Sequence, residues 1–305
     1  QKWDRSLEDI FEVQDEVSTS IAAQVNPTLQ DYERDRIERT RPVNFNAWET
    51  YLKAVHFMNN RNASDHEDPA LTEARRLCEE AIRLDDSLSV AHSLLAKIAL
   101  SELLQFSGKD SNETLEEILA SSKKAAELDP KNPEAPVNTG TYYFFKGNFE
   151  QARQYFKRAV DLNPSYPDAY HALGHALAHA GQYAESEEHF QQAIDLNPLD
   201  PNVAEYRSGL YFSKLGVGDY EAAHWSIEQC LAQFPNRGLY RGFKAAVMGY
   251  LDKGEEAKQA LDDYLTLRPN LKTREDFKKI FVPNSALADI LIEGLIKAGW
   301  EPEGG

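Results

Sequence analysis

The sequence predicts an all-α protein, a solenoid of stacked helical hairpins. Two neighbouring segments, 132–164 and 166–198, follow one pattern at a constant offset of 34 residues. In each segment a small residue in the first half is matched by a large apolar residue in the second. Glycine separates the two halves and proline ends the second, as expected for two helices joined by a turn. A fixed period of this length is typical of repeat proteins.

The matched positions explain how one hairpin would pack. They pair Gly140 with Gly174, Gly147 with Gly181, Phe156 with Phe190, Ala159 with Ala193 and Pro164 with Pro198. The first glycine of each segment lets the second helix approach closely, and the phenylalanine fills the space between the helices. The second glycine lies in the turn, GNF or GQY, where it takes the left-handed conformation that ends a helix.

This pattern resembles the tetratricopeptide repeat. Segment 166–198 matches it at Tyr170, Leu173, Gly174, Leu177, Ser186, Phe190, Ala193 and Pro198. Weaker copies flank the two segments, and the resemblance implies a right-handed superhelical solenoid of six tetratricopeptide-like hairpins. Their expected spans are about 45–86, 89–131, 133–165, 167–199, 201–236 and 239–270. Cys78 and Cys230 then fall in the cores of second helices, where a thiol packs as a small apolar group.

Both ends of the chain are predicted to be capping helices, at 1–44 and 271–305. The segment SLEDIFEVQDEVSTSIAAQV (6–25) has apolar residues at helical spacing, and we expect it to cover the first hairpin. The segment SALADILIEGLIKAG (285–299) is expected to cap the open end of the stack.

A second resemblance concerns the context of the repeats. The stretches WDRSLEDIFEVQDEV, NAWETYLKA and LIEGLIKAGWEPE are similar to the C-terminal repeat region of bacterial class III adenylate or guanylate cyclases. They are also similar to that region of membrane-anchored winged-helix transcription regulators. The resemblance implies the regulatory region of a longer bacterial signalling protein, and a first residue other than Met agrees with that expectation. We expect a cytoplasmic domain, with the periplasmic face of a membrane protein as the alternative.

Composition and motifs exclude several functions. The formal net charge of −17 repels phosphate backbones and anionic lipids, so we expect neither nucleic-acid binding nor direct membrane contact. No run of apolar residues is long enough to span a bilayer. The sequence lacks a phosphate-binding GxxxxGK loop, an HExxH zinc motif and a GxSxG elbow. We therefore expect no enzymatic activity and no cofactor in this segment.

The stretch YHALGHALAHAG (170–181) places three histidines on one face of a helix. The first helices of such a solenoid line its concave groove, and the predicted partner-binding residues are Asn138, Thr141, Phe145, His171, His175, His179, Glu205 and Tyr206. Three interpretations of the histidines stay open: a solvent-lined polar row, part of a groove that binds a protein or peptide, or a weak candidate for a metal site. We also expect them to gain charge together near about pH 6, so that partner affinity rises on acidification.

The predicted function is therefore protein–protein interaction without catalysis. A self-associating scaffold, such as a homodimer, is one alternative. The small-ligand or metal sensor domain of a transcription regulator is the other.

Overall fold

The computed structural model describes residues 44–60, 68–104, 111–198, 203–235, 237–280 and 285–304. These residues form fourteen α-helices and no strand. Six hairpins follow each other: α1 (Phe45–Asn59) with α2 (Pro69–Leu84), α3 (Ser89–Leu104) with α4 (Ser111–Leu128), α5 (Glu134–Phe145) with α6 (Phe149–Leu162), α7 (Pro167–His179) with α8 (Tyr183–Leu196), α9 (Val203–Val217) with α10 (Tyr220–Gln233), and α11 (Gly238–Tyr250) with α12 (Glu255–Leu267). Two more helices follow, α13 (Arg274–Ile280) and α14 (Ala286–Lys297). The predicted all-α solenoid is confirmed, whereas the helices predicted within 1–44 lie outside the described residues.

The hairpins stack into a curved array. Each helix from α1 to α11 packs against the next one along the chain. From α1 to α9, the first helices of neighbouring hairpins also contact each other, whereas no comparable contact joins neighbouring second helices in the described ranges. The stack therefore curves with its first helices inside. We call α1, α3, α5, α7, α9 and α11 the inner helices, the second helices the outer helices, and the surface of the inner helices the concave surface.

Each central hairpin is held by a glycine that faces a phenyl ring, as the sequence predicts. A Cβ added at Gly140 would lie 2.5 Å from Phe156 Cε1, and one added at Gly174 would lie 2.7 Å from Phe190 Cε1. Both distances are shorter than real Cβ contacts, so the rings occupy the space that a side chain would need. The inner and outer helices can approach this closely only because the inner one carries glycine.

The turns between these helices also follow the prediction. Gly147 has a φ of 73° and Gly181 a φ of 82°, which is the left-handed region that glycine enters without strain. None of the described helices is both long and apolar enough to cross a lipid bilayer.

The two cysteines occupy equivalent core positions in outer helices. Both are fully buried and unpaired, and the thiols of Cys78 and Cys230 lie 3.1 Å from the carbonyl oxygens of Ala91 and Ala204. Burial raises the pKa of each thiol to about 12, so both stay protonated. Their predicted role as small core residues agrees with this placement.

Arg75 on α2 joins the first two hairpins through a charge cluster. Its Nε donates to Glu102 Oε1 on α3 at 2.6 Å, and its Nη1 donates to Glu117 Oε1 on α4 at 2.6 Å. Only 17% of the Arg75 side chain and 10% of the Glu102 side chain are exposed. One guanidinium thus balances two carboxylates that would be costly to bury alone.

Replacing Arg75 by Met is expected to lower the free energy of unfolding by about 3 kcal/mol, because it leaves two carboxylates close together without a cation. Denaturant unfolding measures the loss. The control is Arg76→Met at the next residue, whose side chain is 60% exposed and pairs with Glu73. That change is expected to cost less than about 0.5 kcal/mol. Equal losses for the two variants would contradict the role given to Arg75.

The helix expected to cap the open end of the stack, α14, packs mainly against α11 of the last hairpin. Helix α14 packs along α11 on the concave side and also contacts α9 and α7. Tyr250 OH donates to Ile290 O at 2.8 Å. The face that α14 buries consists of Leu287, Leu291, Ile292 and Leu295. Three inner helices form one apolar core with this face, and its removal from water stabilises the packing of α14.

Helices α11 and α14 cross with their backbones in contact. A Cβ added at Gly249 would overlap Gly294 O, and one added at Gly294 would lie 2.5 Å from Ala246 O. Both obstacles are backbone atoms, which cannot move aside as the end of a side chain can. The two glycines therefore set the distance between α11 and α14.

Replacing Gly249 by Ala is expected to destabilise the chain by about 3 kcal/mol, because the new methyl group forces α14 away from the concave surface. Thermal or denaturant unfolding measures this. Gly218→Ala is the control: the atom nearest to its added Cβ is Tyr220 Oη at 3.9 Å, an ordinary contact, and its φ of 81° accounts for a cost of about 1 kcal/mol. If the Gly249 variant loses no more than the control, the close crossing does not exist.

Candidate functional site

The concave surface carries the residues predicted to bind a partner, but half of them are not accessible. Those less than a tenth exposed are Asn138, Thr141, His179 and Tyr206. Those partly exposed are Phe145, His171, His175 and Glu205. Asn138 shows the reason: its Nδ2 donates to Ser93 O at 3.1 Å, from α5 to α3. Neighbouring inner helices lie so close that side chains between them contact the next helix instead of solvent.

The three histidines form a row on α7, as their spacing predicts. His171 Nε2 lies 3.1 Å from His175 Nε2 and 3.1 Å from Glu205 O on α9. The ring centroids of His171 and His175 are 4.5 Å apart. The row therefore connects α7 to the next inner helix through the backbone as well as through packing.

Aromatic rings from the two neighbouring inner helices enclose His179. Its ring centroid lies 4.9 Å from that of Phe144 on α5 and 5.8 Å from that of Phe212 on α9. Its Nδ1 is buried and has no hydrogen-bond partner among the described residues. Among the residues that the structure describes, no group of three or more His, Cys, Asp or Glu is arranged to hold a metal ion. The row is built as packing between helices.

Burial lowers the pKa of all three histidines. It lowers the pKa of His179 to about 3 and, with the two neighbouring imidazoles, the pKa of His175 well below its usual value. For His171, burial outweighs the opposing charges of Asp168 and Glu205, so its pKa is also lowered. The expectation that the row gains charge together near about pH 6 was therefore wrong. Helical spacing gives the face of a residue but not the closeness of the next helix.

A polar strip along the concave surface was not predicted from the sequence. Lys97 Nζ on α3 lies 2.8 Å from Asp168 Oδ2 on α7, and Tyr206 OH on α9 donates to Asp168 Oδ1 at 2.7 Å. Burial opposes ionisation of Asp168, but Lys97 and Tyr206 lower its pKa below the usual value. Further along, Glu205 Oε1 lies 3.0 Å from Arg237 Nη1. The strip could have been predicted in part from the acidic residues in the first turns of these helices, since the start of a helix favours negative charge.

Helix α14 divides the concave surface into a covered and an uncovered part. It contacts α7, α9 and α11, whereas no helix of the described ranges packs across the concave side of α1, α3 and α5. Lys97 remains 46% exposed on this uncovered part. Within the described ranges, the surface open to a partner therefore comprises α1, α3 and α5 together with the partly exposed residues of α7 and α9.

The comparisons with known proteins agree with this architecture. The family model for the tetratricopeptide repeat matches residues 137–201, and this chain contains a tetratricopeptide repeat domain. Its structure is similar to a thermophilic tetratricopeptide repeat protein of Thermus thermophilus, with 20% identity, a TM-score of 0.52, and coverage of 66% of this chain and 98% of that one. It is also similar to the APC/C hetero-tetramer Cut9-Hcn1, with 17% identity, a TM-score of 0.57, and coverage of 93% and 52%. These likenesses establish the fold.

One curated relative is named as an adenylate cyclase. The chain is 28% identical over 134 residues to "Putative adenylate cyclase 3" of Rhizobium meliloti (strain 1021). The match covers 44% of this chain and 22% of that protein, so the chain corresponds to only a small part of its relative's length. Tetratricopeptide repeats are generally non-catalytic and bind protein or peptide partners.

Replacing His179 by Leu is expected to reduce the loss of stability on acidification. Since its pKa is lower in the folded than in the unfolded state, the unfolded chain takes up the proton first as pH falls. The contribution of neutral His179 to the free energy of unfolding is complete above about pH 6.5, and it is lost as the pH falls towards the pKa of the folded state. Between pH 7 and pH 5, His179 alone should account for about 2 kcal/mol.

Denaturant unfolding at both pH values measures this difference. The control is His56→Leu, which removes an exposed histidine on α1. A His179 variant with the same pH dependence as the native chain would show that the imidazole is hydrated.

Proposed function

We propose that this chain is a non-catalytic interaction module that binds a protein or peptide partner on its concave surface. The observation that carries the proposal is the uncovered inner surface of α1, α3 and α5, which continues to the polar start of α7. Concave surfaces of this kind are what solenoids use for binding. The contacts are expected to come from Phe145, His171, His175 and Glu205, which are partly exposed. The contact residues are expected to be held in place by four buried residues of the same helices: Asn138, Thr141, His179 and Tyr206.

The chain is proposed to be the regulatory repeat region of a larger bacterial signalling protein of the cyclase type. The similarity to a relative named as an adenylate cyclase supports this context, as do the terminal stretches that resemble cyclase repeat regions. In this proposal the repeats regulate a catalytic domain elsewhere in the same protein. The acidic charge makes nucleic acid and anionic membrane poor partners.

Selection from a random-peptide phage library on the immobilised chain tests the binding function. Two variants locate the site. Ser101→Trp places a bulky ring one turn after Lys97 on the concave face of α3, and Gln154→Trp places the same ring on the exposed side of outer helix α6. Peptides are expected to bind the native chain and the Gln154 variant and to lose affinity for the Ser101 variant.

Two results would contradict the proposal. Either no peptide is enriched, or the enriched peptides bind the Ser101 variant as well as the native chain. Light scattering over a concentration series tests the self-association alternative, since a dimer at low concentration would favour a scaffold. A melting shift on adding zinc or nickel would favour the sensor alternative.

The intact mass of the protein in its native cell, captured with an antibody to this domain, tests the signalling context. A chain that includes a cyclase domain would support a regulatory role. A mass near 34.5 kDa would instead indicate an adaptor that acts without an attached catalytic domain.

A further inference from the structure

The start of α5 places one carboxylate on the uncovered part of the concave surface. Glu134 lies in the first turn of α5. Its backbone N–H donates to Asn132 Oδ1 at 3.0 Å, and Asn132 Nδ2 in turn donates to the hydroxyls of Ser89 and Ser93 on α3. Because Asn132 is buried and bonded to both helices, the position of Glu134 relative to α3 is fixed.

The charges on either side of Glu134 already have partners. The ion pair between Lys97 on α3 and Asp168 on α7 reaches across α5, which packs between those two helices. Asp168 also accepts hydrogen bonds from Tyr206 OH at 2.7 Å and from Tyr166 OH at 3.2 Å. Lys97 is therefore held at Asp168, and the carboxylate of Asp168 is satisfied by three donors.

Glu134 has no such partner. Its carboxylate makes no hydrogen bond and no ion pair with any residue that the structure describes, and the residue is partly buried. Burial raises its pKa, against the attraction of Lys97.

We infer that Glu134 binds a cationic side chain of the partner, a lysine ammonium or an arginine guanidinium. A partly buried carboxylate gains most from a charged donor, and among the described residues Glu134 has none. This inference rests on the proposed function and specifies the chemistry of the peptide that the concave surface takes.

The charge of the whole chain favours the same class of partner. With a net charge of −17, the surface attracts basic peptides and repels acidic ones. On the uncovered concave surface, Lys97 is neutralised by Asp168, so Glu134 is the unbalanced charge of this cluster. An acidic peptide would meet a carboxylate here rather than a free ammonium group.

A double-mutant cycle on a selected peptide tests the inference. From the selected peptides that lose affinity for the Ser101→Trp variant, the one that binds the native chain most tightly is synthesised. Each of its basic residues is then replaced in turn by Gln. Fluorescence polarisation measures the affinity of each peptide for the native chain, for Glu134→Gln and for Glu150→Gln. The Glu134 change keeps the size of the side chain and removes its charge. Glu150 is the matched control, an exposed acid in the first turn of outer helix α6.

We expect one basic residue whose replacement weakens binding to the native chain about tenfold but leaves binding to the Glu134 variant unchanged. The Glu150 variant should bind like the native chain, and melting curves establish that both variants are folded. Peptides that bind the concave surface without a basic residue, or that show no coupling to Glu134, would overturn this inference and leave the proposed function standing. A selection that yields no peptide would overturn the proposed function and this inference with it.

Discussion

The close approach of the two helices within each hairpin is the constraint on which the rest of the structure depends. Where Gly140 faces Phe156 and Gly174 faces Phe190, no side chain of the inner helix separates it from the ring of the outer one. The same contact recurs after 34 residues, so successive hairpins are added with nearly the same rotation. The resulting curvature brings the inner helices together, and both the histidine row and the polar strip follow from that closeness.

The two edges of the concave surface differ because the two ends of a helix differ. At the starts of α5, α7 and α9 stand Glu134, Asp168 and Glu205, where backbone N–H groups favour negative charge. Towards the ends of the same helices the side chains are aromatic and aliphatic, and α14 or a neighbouring helix covers them. A partner segment that lies across the inner helices would therefore contact charged side chains along one edge of the concave surface and apolar side chains along the other.

The sequence allowed much of the fold to be predicted, because the repeat is local information. The glycine, phenylalanine and proline positions gave the hairpins, their turns and the buried thiols. The position of α14 could not be obtained in this way, since the same apolar face fits the end of a stack or a groove. The choice depends on the combined shape of α7, α9 and α11. Likewise, Lys97 and Asp168 are 71 residues apart and pair only because curvature brings α3 near α7.

The ion pair of Lys97 with Asp168 has a consequence for how the array comes apart. A solenoid in which each repeat contacts only its neighbours can lose terminal repeats one at a time. Here the pair links the second hairpin to the fourth, and α14 links the fourth to the fifth and sixth. The fourth hairpin belongs to both links, so loss of the second or the sixth hairpin breaks contacts with the fourth as well as with a direct neighbour. We therefore expect the hairpins from α3 to α12 to unfold more cooperatively than an array held by nearest-neighbour contacts alone.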